Sequence, residues 1–258
     1  MESFEGLHPF LCSYPIPISM KLQNLLLTLG FLFLLTTLSA QSSTLYVHAP
    51  SGLNMRTTSD PGSAKISTIA LGTKVKLLST PSSEDMLIDN LKGGMAKVSA
   101  NGKTGYMFSG YLLPYPVPTP GAKVEDYVQK LRNAQISYQF EEHRYDNDGH
   151  ASYHEVFYLN KNDYQGAWVV AQRLFKIPKS MKFPNSSSKE DHETIENPQA
   201  AAGTWGDGIT IRRKNGKVVE ISYFQEREGG GWSVSIEPGR AVDYKEDKIR
   251  VAYVAVAD

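Results

Sequence analysis

Four alternating prolines divide the chain into two halves. The segment Pro114-Tyr115-Pro116-Val117-Pro118-Thr119-Pro120-Gly121 repeats proline at every second position. Proline fixes φ and has no backbone N–H, so the segment favours extended, stiff chain and excludes a regular helix. We therefore predict a proline-rich linker over residues 115–122 and a separate domain over residues 123–258.

A short apolar run near the N-terminus has the pattern of an export signal. Met20-Lys21 precedes the uncharged stretch Leu25 to Leu38, which ends in Ser39-Ala40. A basic start, a short apolar run and a small residue at the end are typical of secretory signals. The run is shorter than the roughly 20 apolar residues of a membrane span; a buried core helix is the alternative. We predict a leader over residues 1–40 with its signal over 20–40, and a periplasmic or secreted mature protein without a membrane span. Either Met1 or Met20 is the natural start.

Composition excludes several classes of function. The single cysteine, Cys12, lies in the predicted leader, so the mature protein has no thiol and no disulfide. The 27 basic and 27 acidic residues balance, and this neutrality gives no electrostatic basis for binding nucleic acid. We expect no nucleic-acid partner.

The first half has the pattern of short strands and tight turns. Val75 and Leu77 alternate with Lys74 and Lys76, as in a strand with one buried face. Asn101-Gly102 is a strong signal for a two-residue hairpin turn. Short strands with glycine-rich turns favour a barrel or a sandwich.

Three segments of this half, in order, resemble the bacterial SH3 domain family over residues 44–114. They are Leu53 to Gly62, Lys65 to Leu78, and Ala96 to Leu112. The resemblance implies an all-β, five-stranded SH3-like barrel that recognises a peptide or a cell-wall component. The sequence departs from the family at Met95, where an aromatic residue is common, and in the stretch from Thr80 to Gly94, which is longer than usual.

Four side chains are the candidate ligand contacts of the barrel: Tyr46, Arg56, Tyr106 and Tyr111. Tyrosine combines a flat apolar ring with a polar tip, which suits sugars and peptides. Arginine can hold a carboxylate through two hydrogen bonds. The alternative is that Tyr106 and Tyr111 pack in the barrel core.

The second half predicts two helices. The first has apolar residues at the spacing of one helical face, at Val124, Tyr127, Val128 and Leu131. The second repeats this stripe at Ala167, Val170, Ala171 and Leu174. Asn162 and Gln165 form a possible capping box at its start, and Pro178 ends it. The following stretch, Pro178 to Gly206, predicts a long loop.

The remaining patterns predict antiparallel strands. A turn at Asp148-Gly149 pairs Phe140 with Phe157 and His143 with His154. Near the end of the chain, a three-residue turn sets Ile211 opposite Val219 and Ile209 opposite Ile221. Two further strands contain Trp232 to Ile236 and Ile249 to Val256. We predict an α+β domain with two helices packed on an antiparallel sheet; residues 123–258 resemble no family.

No pattern in the chain assembles a catalytic site. A metal site at His143, His154 and Glu141 is an alternative to a solvated hairpin face. The predicted mature chain has no cysteine nucleophile, and Gly-x-Ser-x-Gly is absent. A cationic group at Arg212, Arg213, Lys214 and Lys217 could meet an anion, or could simply protect a sheet edge from pairing.

The sequence therefore favours an exported, non-enzymatic binding protein of the cell envelope, without a metal or a cofactor. Its partner would be a peptide, a cell-wall component or an envelope protein. The alternative is an enzyme, such as a cell-wall hydrolase, with its site in residues 123–258.

Overall fold

The computed structural model describes residues 43–136, 139–147, 150–160, 162–184, 188–240 and 247–257. The predicted leader and the Asp148-Gly149 turn lie outside these residues. No helix within the described ranges is both long enough and apolar enough to cross a membrane.

The first half folds into one antiparallel sheet and a small hairpin. Its strands are β1 (Thr44–Val47), β2 (Leu53–Arg56), β3 (Lys65–Ile69), β4 (Lys74–Ser79), β5 (Met86–Ile88), β6 (Leu91–Gly93), β7 (Met95–Ala100), β8 (Lys103–Phe108) and β9 (Leu112–Leu113). A 3₁₀ turn, Ser109–Tyr111, joins the last two strands. The order is β3-β2-β8-β7-β4-β1-β9, and β5 pairs only with β6. In the described chain, hydrogen bonds do not join the two ends of this sheet, so closure into a barrel is not seen.

The local predictions for this half are confirmed. Val75 is buried between the exposed side chains of Lys74 and Lys76. Asn101 and Gly102 both have positive φ, at 51° and 73°, and turn the chain between β7 and β8. Apolar side chains from alternate strand positions then form the core of the sheet: Val47, Met55, Val75, Val98 and Met107.

The second half is an antiparallel sheet with two helices. Its elements are α1 (Val124–Asn133), β10 (Phe140–Asn147), β11 (His150–Leu159), α2 (Tyr164–Leu174), β12 (His192–Glu196), β13 (Thr204–Lys214), β14 (Lys217–Arg227), β15 (Gly230–Arg240) and β16 (Asp247–Ala257). The strand order is β10-β11-β16-β15-β14-β13-β12. Both helices pack on the same apolar sheet face, which includes Phe157, Ile221 and Val251. The α+β prediction is confirmed, although β12 interrupts the loop expected from Pro178 to Gly206.

Both predicted helices form, but the second begins one residue later than its sequence pattern indicated. Asn162 has a positive φ of 62° and is not the cap. Asp163 caps α2 instead, because its carboxylate accepts a hydrogen bond of 2.8 Å from the Gly166 amide. The predicted capping box between Asn162 and Gln165 therefore does not form.

One predicted strand register is confirmed and another is wrong. Phe140 lies opposite Phe157 and His143 opposite His154, as the alternation indicated. On β13 and β14, however, Ile211 pairs with Ile221 rather than with Val219. The turn has two residues, Asn215 and Gly216, and a β-bulge at Val219 absorbs the offset. The bulge keeps the apolar side chains of both strands on the helix-covered face.

The proline segment is packed rather than exposed. Tyr115 is fully buried in an apolar cluster that includes Leu113 from the first half and Leu159 from the second. The Tyr127 hydroxyl donates to the Pro116 carbonyl at 3.0 Å, and the Gly121 amide donates to the carbonyl of Leu174 at 2.7 Å. The two halves thus share a core, and Ser42 to Asp258 form a single compact unit. The predicted domain boundaries stay a prediction.

Candidate functional site

A cleft of about 720 Å³ lies where the first half meets α2 and the chain after it. The first half contributes His48 and Ser51 from the turn after β1, Asp89 from the β5–β6 hairpin, and Tyr111 from the 3₁₀ turn. The second half contributes residues 168–183, from the middle of α2 to Phe183. A cleft of this volume falls in the range of small-molecule and peptide sites.

The β5–β6 hairpin, which lies within the stretch from Thr80 to Gly94, forms one wall of the cleft. Its turn has two left-handed residues, Asp89 and Asn90, with φ of 53° and 64°. The Asn90 amide donates to the Phe183 carbonyl at 3.1 Å. Gln165 accepts from the Lys92 amide at 2.7 Å and donates to the Lys92 carbonyl at 3.0 Å. The hairpin is therefore fixed to α2 and to the chain after it.

The interior of the cleft is apolar. Leu91, Trp168 and Ile177 are each at most 3% exposed and line it together with the more exposed Val169 and Phe183. Trp168 lies beside the predicted stripe and is buried like it, so the buried part of α2 is wider than the stripe. Within the described structure, the indole Nε1 of Trp168 has no hydrogen-bond partner. Apolar surface at the base of a cleft favours a ligand that has an apolar part.

His48 lies at the first-half side of the cleft and is 2% exposed. Its Nε2 is 2.8 Å from the Tyr115 carbonyl, which can only accept a hydrogen bond, so this nitrogen carries the proton. Burial, together with the nearby charge of Arg173, lowers the pKa of His48 to about 4, against the opposing effect of the hydrogen bond to the Tyr115 carbonyl. The imidazole is therefore neutral at physiological pH.

Tyr111, Asp89 and Lys182 form a polar chain at the hairpin side of the cleft. The Tyr111 hydroxyl donates to the Asp89 carboxylate at 2.8 Å, and the Lys182 Nζ lies 3.3 Å from the same carboxylate. Burial and the Asp89 hydrogen bond raise the pKa of Tyr111 well above its ordinary value, so the hydroxyl keeps its proton. It stays a donor, and Asp89 is the only acidic side chain in the lining.

Four cationic side chains line the second-half side: Arg173, Lys176, Lys179 and Lys182. The Arg173 Nε donates to the Pro118 carbonyl at 2.9 Å, which leaves the two terminal guanidinium nitrogens. The three lysines are exposed and form the rim. Among the described residues, no carboxylate lies within ion-pair distance of Lys176 or Lys179.

Of the four ligand contacts predicted from the sequence, Tyr111 lines this cleft. Arg56 and Tyr106 lie opposite each other on β2 and β8, and Arg56 donates to the Ser63 carbonyl in its own loop. Tyr46 lies on β1, where the Lys74 ammonium is 5.8 Å from its ring centroid. The structure therefore brings Arg56 and Tyr106 together and places Tyr111 elsewhere. Whether any of the four binds a ligand stays a prediction.

All three side chains of the alternative metal site make other contacts. His143 and His154 are cross-strand partners, but the Tyr145 ring lies 6.2 Å from His143 and 5.2 Å from His154, between ring centroids. Glu141 accepts from the Tyr158 hydroxyl at 3.1 Å and is 3.8 Å from the His143 Nε2. In the part of the chain with described coordinates, no three such side chains are placed to hold a metal ion.

The two arginines of the cationic group on β13 and β14 are paired with carboxylates. Arg212 is 2.8 Å from Glu220. The side chain of Arg213 is fully buried and lies 2.7 Å from Glu193 on β12. These contacts tie neighbouring strands together, which matches a structural role better than an anion site.

The cleft was missed in the sequence because its residues come from five separate stretches of the chain. Two local signals pointed toward it. One was the unusual length of the stretch from Thr80 to Gly94, which becomes the hairpin wall. The other was the series of basic residues from Arg173 to Lys182, which begins in the last turn of the second predicted helix.

Residues 51–112 match the family model of the bacterial SH3 domain. This match confirms the resemblance over most of the segment from which it was predicted. Such domains are commonly modules that bind peptides or cell-wall components. Neither curated proteins nor solved structures gave a match to the chain.

Proposed function

We propose that this chain, which carries a bacterial SH3 domain over residues 51–112, is an exported protein of the cell envelope that binds a peptide or a cell-wall component. We take the sheet of the first half as the barrel of that family, and the cleft beside it as the binding site. Export follows from the apolar run before Ala40, which has the pattern of a secretory signal.

One observation carries the proposal: the SH3 domain and the second half build a single cleft with an apolar interior and a polar rim. Leu91 and Trp168, which come from opposite sides, form the interior. Tyr111, Asp89 and the lysines provide hydrogen-bonding groups around it. A few polar groups around an apolar base are the usual composition of a ligand site.

The side chains of the cleft suit binding better than catalysis. His48 donates its Nε2 proton to a backbone carbonyl, and its low pKa makes it a weak base. Asp89 is paired with Tyr111 and Lys182. Among the described residues, neither side chain forms a hydrogen bond with a serine or threonine hydroxyl that it could activate. The rival function is a hydrolase whose site lies elsewhere in residues 123–258.

A substitution that fills the cleft tests the proposal. Ser51 is exposed and lines the cleft, so Ser51→Trp should block the site without disturbing the core. Ser59→Trp adds the same side chain at an exposed position in the loop between β2 and β3, outside the lining. Binding is measured by co-sedimentation with purified bacterial cell wall and by titration with soluble wall fragments and short peptides.

We expect wild type and Ser59→Trp to bind, and Ser51→Trp to lose at least tenfold in affinity. Equal binding by all three proteins would show that the cleft is not the site. The same incubations are assayed for release of soluble wall fragments. Release that depends on protein concentration would support the hydrolase and contradict a pure binding function.

A further inference from the structure

The charge of the cleft differs from that of the chain as a whole. The chain has 27 basic and 27 acidic residues. The lining has four basic side chains and one carboxylate, Asp89. Four against one leaves three positive charges in excess, concentrated within residues 173–182. An excess of this kind attracts an anion and raises its local concentration.

Contacts within the protein account for two of the four cationic side chains of the cleft, but not for the other two. Arg173 lies in the last turn of α2, where a cation interacts favourably with the helix C-terminus. Lys182 is paired with Asp89 at 3.3 Å. Lys176 and Lys179 follow the helix, are exposed on the rim and have no carboxylate partner among the described residues. These two ammonium groups are free to meet a ligand.

The interior restricts the ligand further. Val169, Pro178 and Phe183 line the cleft beside the cationic side chains and are more exposed than Leu91, Trp168 and Ile177, so they offer the apolar surface that a ligand can cover. A polyol phosphate polymer carries negative charge but no apolar side chain to cover that surface. A peptide segment provides both, since an apolar side chain can lie beside a carboxylate.

We infer that the cleft selects a short peptide segment that places an apolar side chain on Val169, Pro178 and Phe183 and a carboxylate at Lys176 and Lys179. This inference rests on the proposed function and narrows its ligand class. A free C-terminal carboxylate next to an apolar last residue fits the arrangement most simply.

The test compares peptides that differ only in this charge. N-acetylated tetrapeptides ending in Leu, Phe or Trp are made with a free C-terminal carboxylate and as the C-terminal amide. Each is titrated at low ionic strength into the full mature chain, its Lys179→Glu variant and its Lys103→Glu variant. Lys103 is exposed on β8 outside the cleft. Lys103→Glu therefore changes the net charge by the same amount as Lys179→Glu but leaves the cleft unaltered.

We expect the acid form of the best peptide to bind at least tenfold more tightly than its amide. The preference should fall to about twofold in Lys179→Glu, stay unchanged in Lys103→Glu, and shrink with added salt. Ser51→Trp should weaken both forms.

Three results would overturn the inference. If the acid and amide bind equally and Ser51→Trp blocks both, the cleft binds peptides without selecting a carboxylate, and the proposed function stands. If a glycerol phosphate polymer or peptide-free wall polymer binds better than every peptide and Ser51→Trp blocks it, the ligand class is wrong. If neither wall fragments nor peptides bind, the proposed function fails as well.

Discussion

His48 should make the stability of the folded chain sensitive to acid. The imidazole has an ordinary pKa of 6.5 when the chain is unfolded, and burial lowers its pKa to about 4 in the folded state. Between these values the unfolded state binds a proton that the folded state does not. The free energy of unfolding therefore decreases as the pH falls from 6.5 toward 4, and the contribution of His48 is constant below that range.

The size of the effect follows from the two pKa values. Their difference of about 2.5 corresponds to about 3.4 kcal/mol, at 1.36 kcal/mol for each pKa unit. At pH 5 roughly 2 kcal/mol of this is already lost relative to pH 7.5, and at pH 4 about 3 kcal/mol.

Urea denaturation of wild type and His48→Gln between pH 7.5 and pH 4 measures this contribution. Glutamine can still donate to the Tyr115 carbonyl but does not titrate. The wild type should therefore lose about 3 kcal/mol more than the variant over this range. His143, whose side chain is 51% exposed, provides the matched control His143→Gln, which should change stability little at any pH.

The free energies of unfolding of wild type and His48→Gln are compared from pH 7.5 to pH 4. If their difference stays constant to within about 0.5 kcal/mol, the prediction for His48 is wrong. It would mean that His48 is not held neutral by burial. Direct titration of the imidazole by NMR provides an independent check, since its midpoint should lie near pH 4.

Four further predictions concern the rest of the chain. Gln165→Ala removes both hydrogen bonds to Lys92 and should cost about 1 kcal/mol in unfolding free energy, with faster amide exchange in the hairpin than in wild type. Tyr115→Ala should lower the free energy of unfolding by roughly 3–5 kcal/mol, because it opens a cavity in the shared core. For the same reason both halves of the wild type should unfold in one transition. Separate transitions seen by tryptophan fluorescence and circular dichroism would contradict the shared core. Metal analysis of untagged protein should find less than one zinc per chain. One zinc per chain in the wild type that is lost in His143→Ala would instead support the alternative metal site. N-terminal sequencing of protein from its natural host should begin near Gln41, whereas recovery of an intact leader would exclude export with cleavage.

Features that depend on neighbouring residues were predictable from the sequence. The apolar stripe that includes Tyr127 and Leu131 gave the first helix, because the α-helix fixes which residues share a face. The pairing of Phe140 with Phe157 followed from alternation around a turn, because a strand slipped by one residue would expose its apolar face. The resemblance to the bacterial SH3 domain likewise depended on motifs close together in the chain.

Features that depend on distant contacts were decided only by the tertiary structure. The sequence could not show the bulge at Val219, because a bulge depends on matching the apolar faces of both strands. The sequence also could not show that the Gln165 side chain would bond the Lys92 backbone instead of forming a capping box, since that contact joins residues 73 positions apart. The cleft has the same origin: Leu91 and Trp168 form one surface only when the two halves pack together. Local patterns specify elements, whereas a site between elements is specified by the packing that buries them.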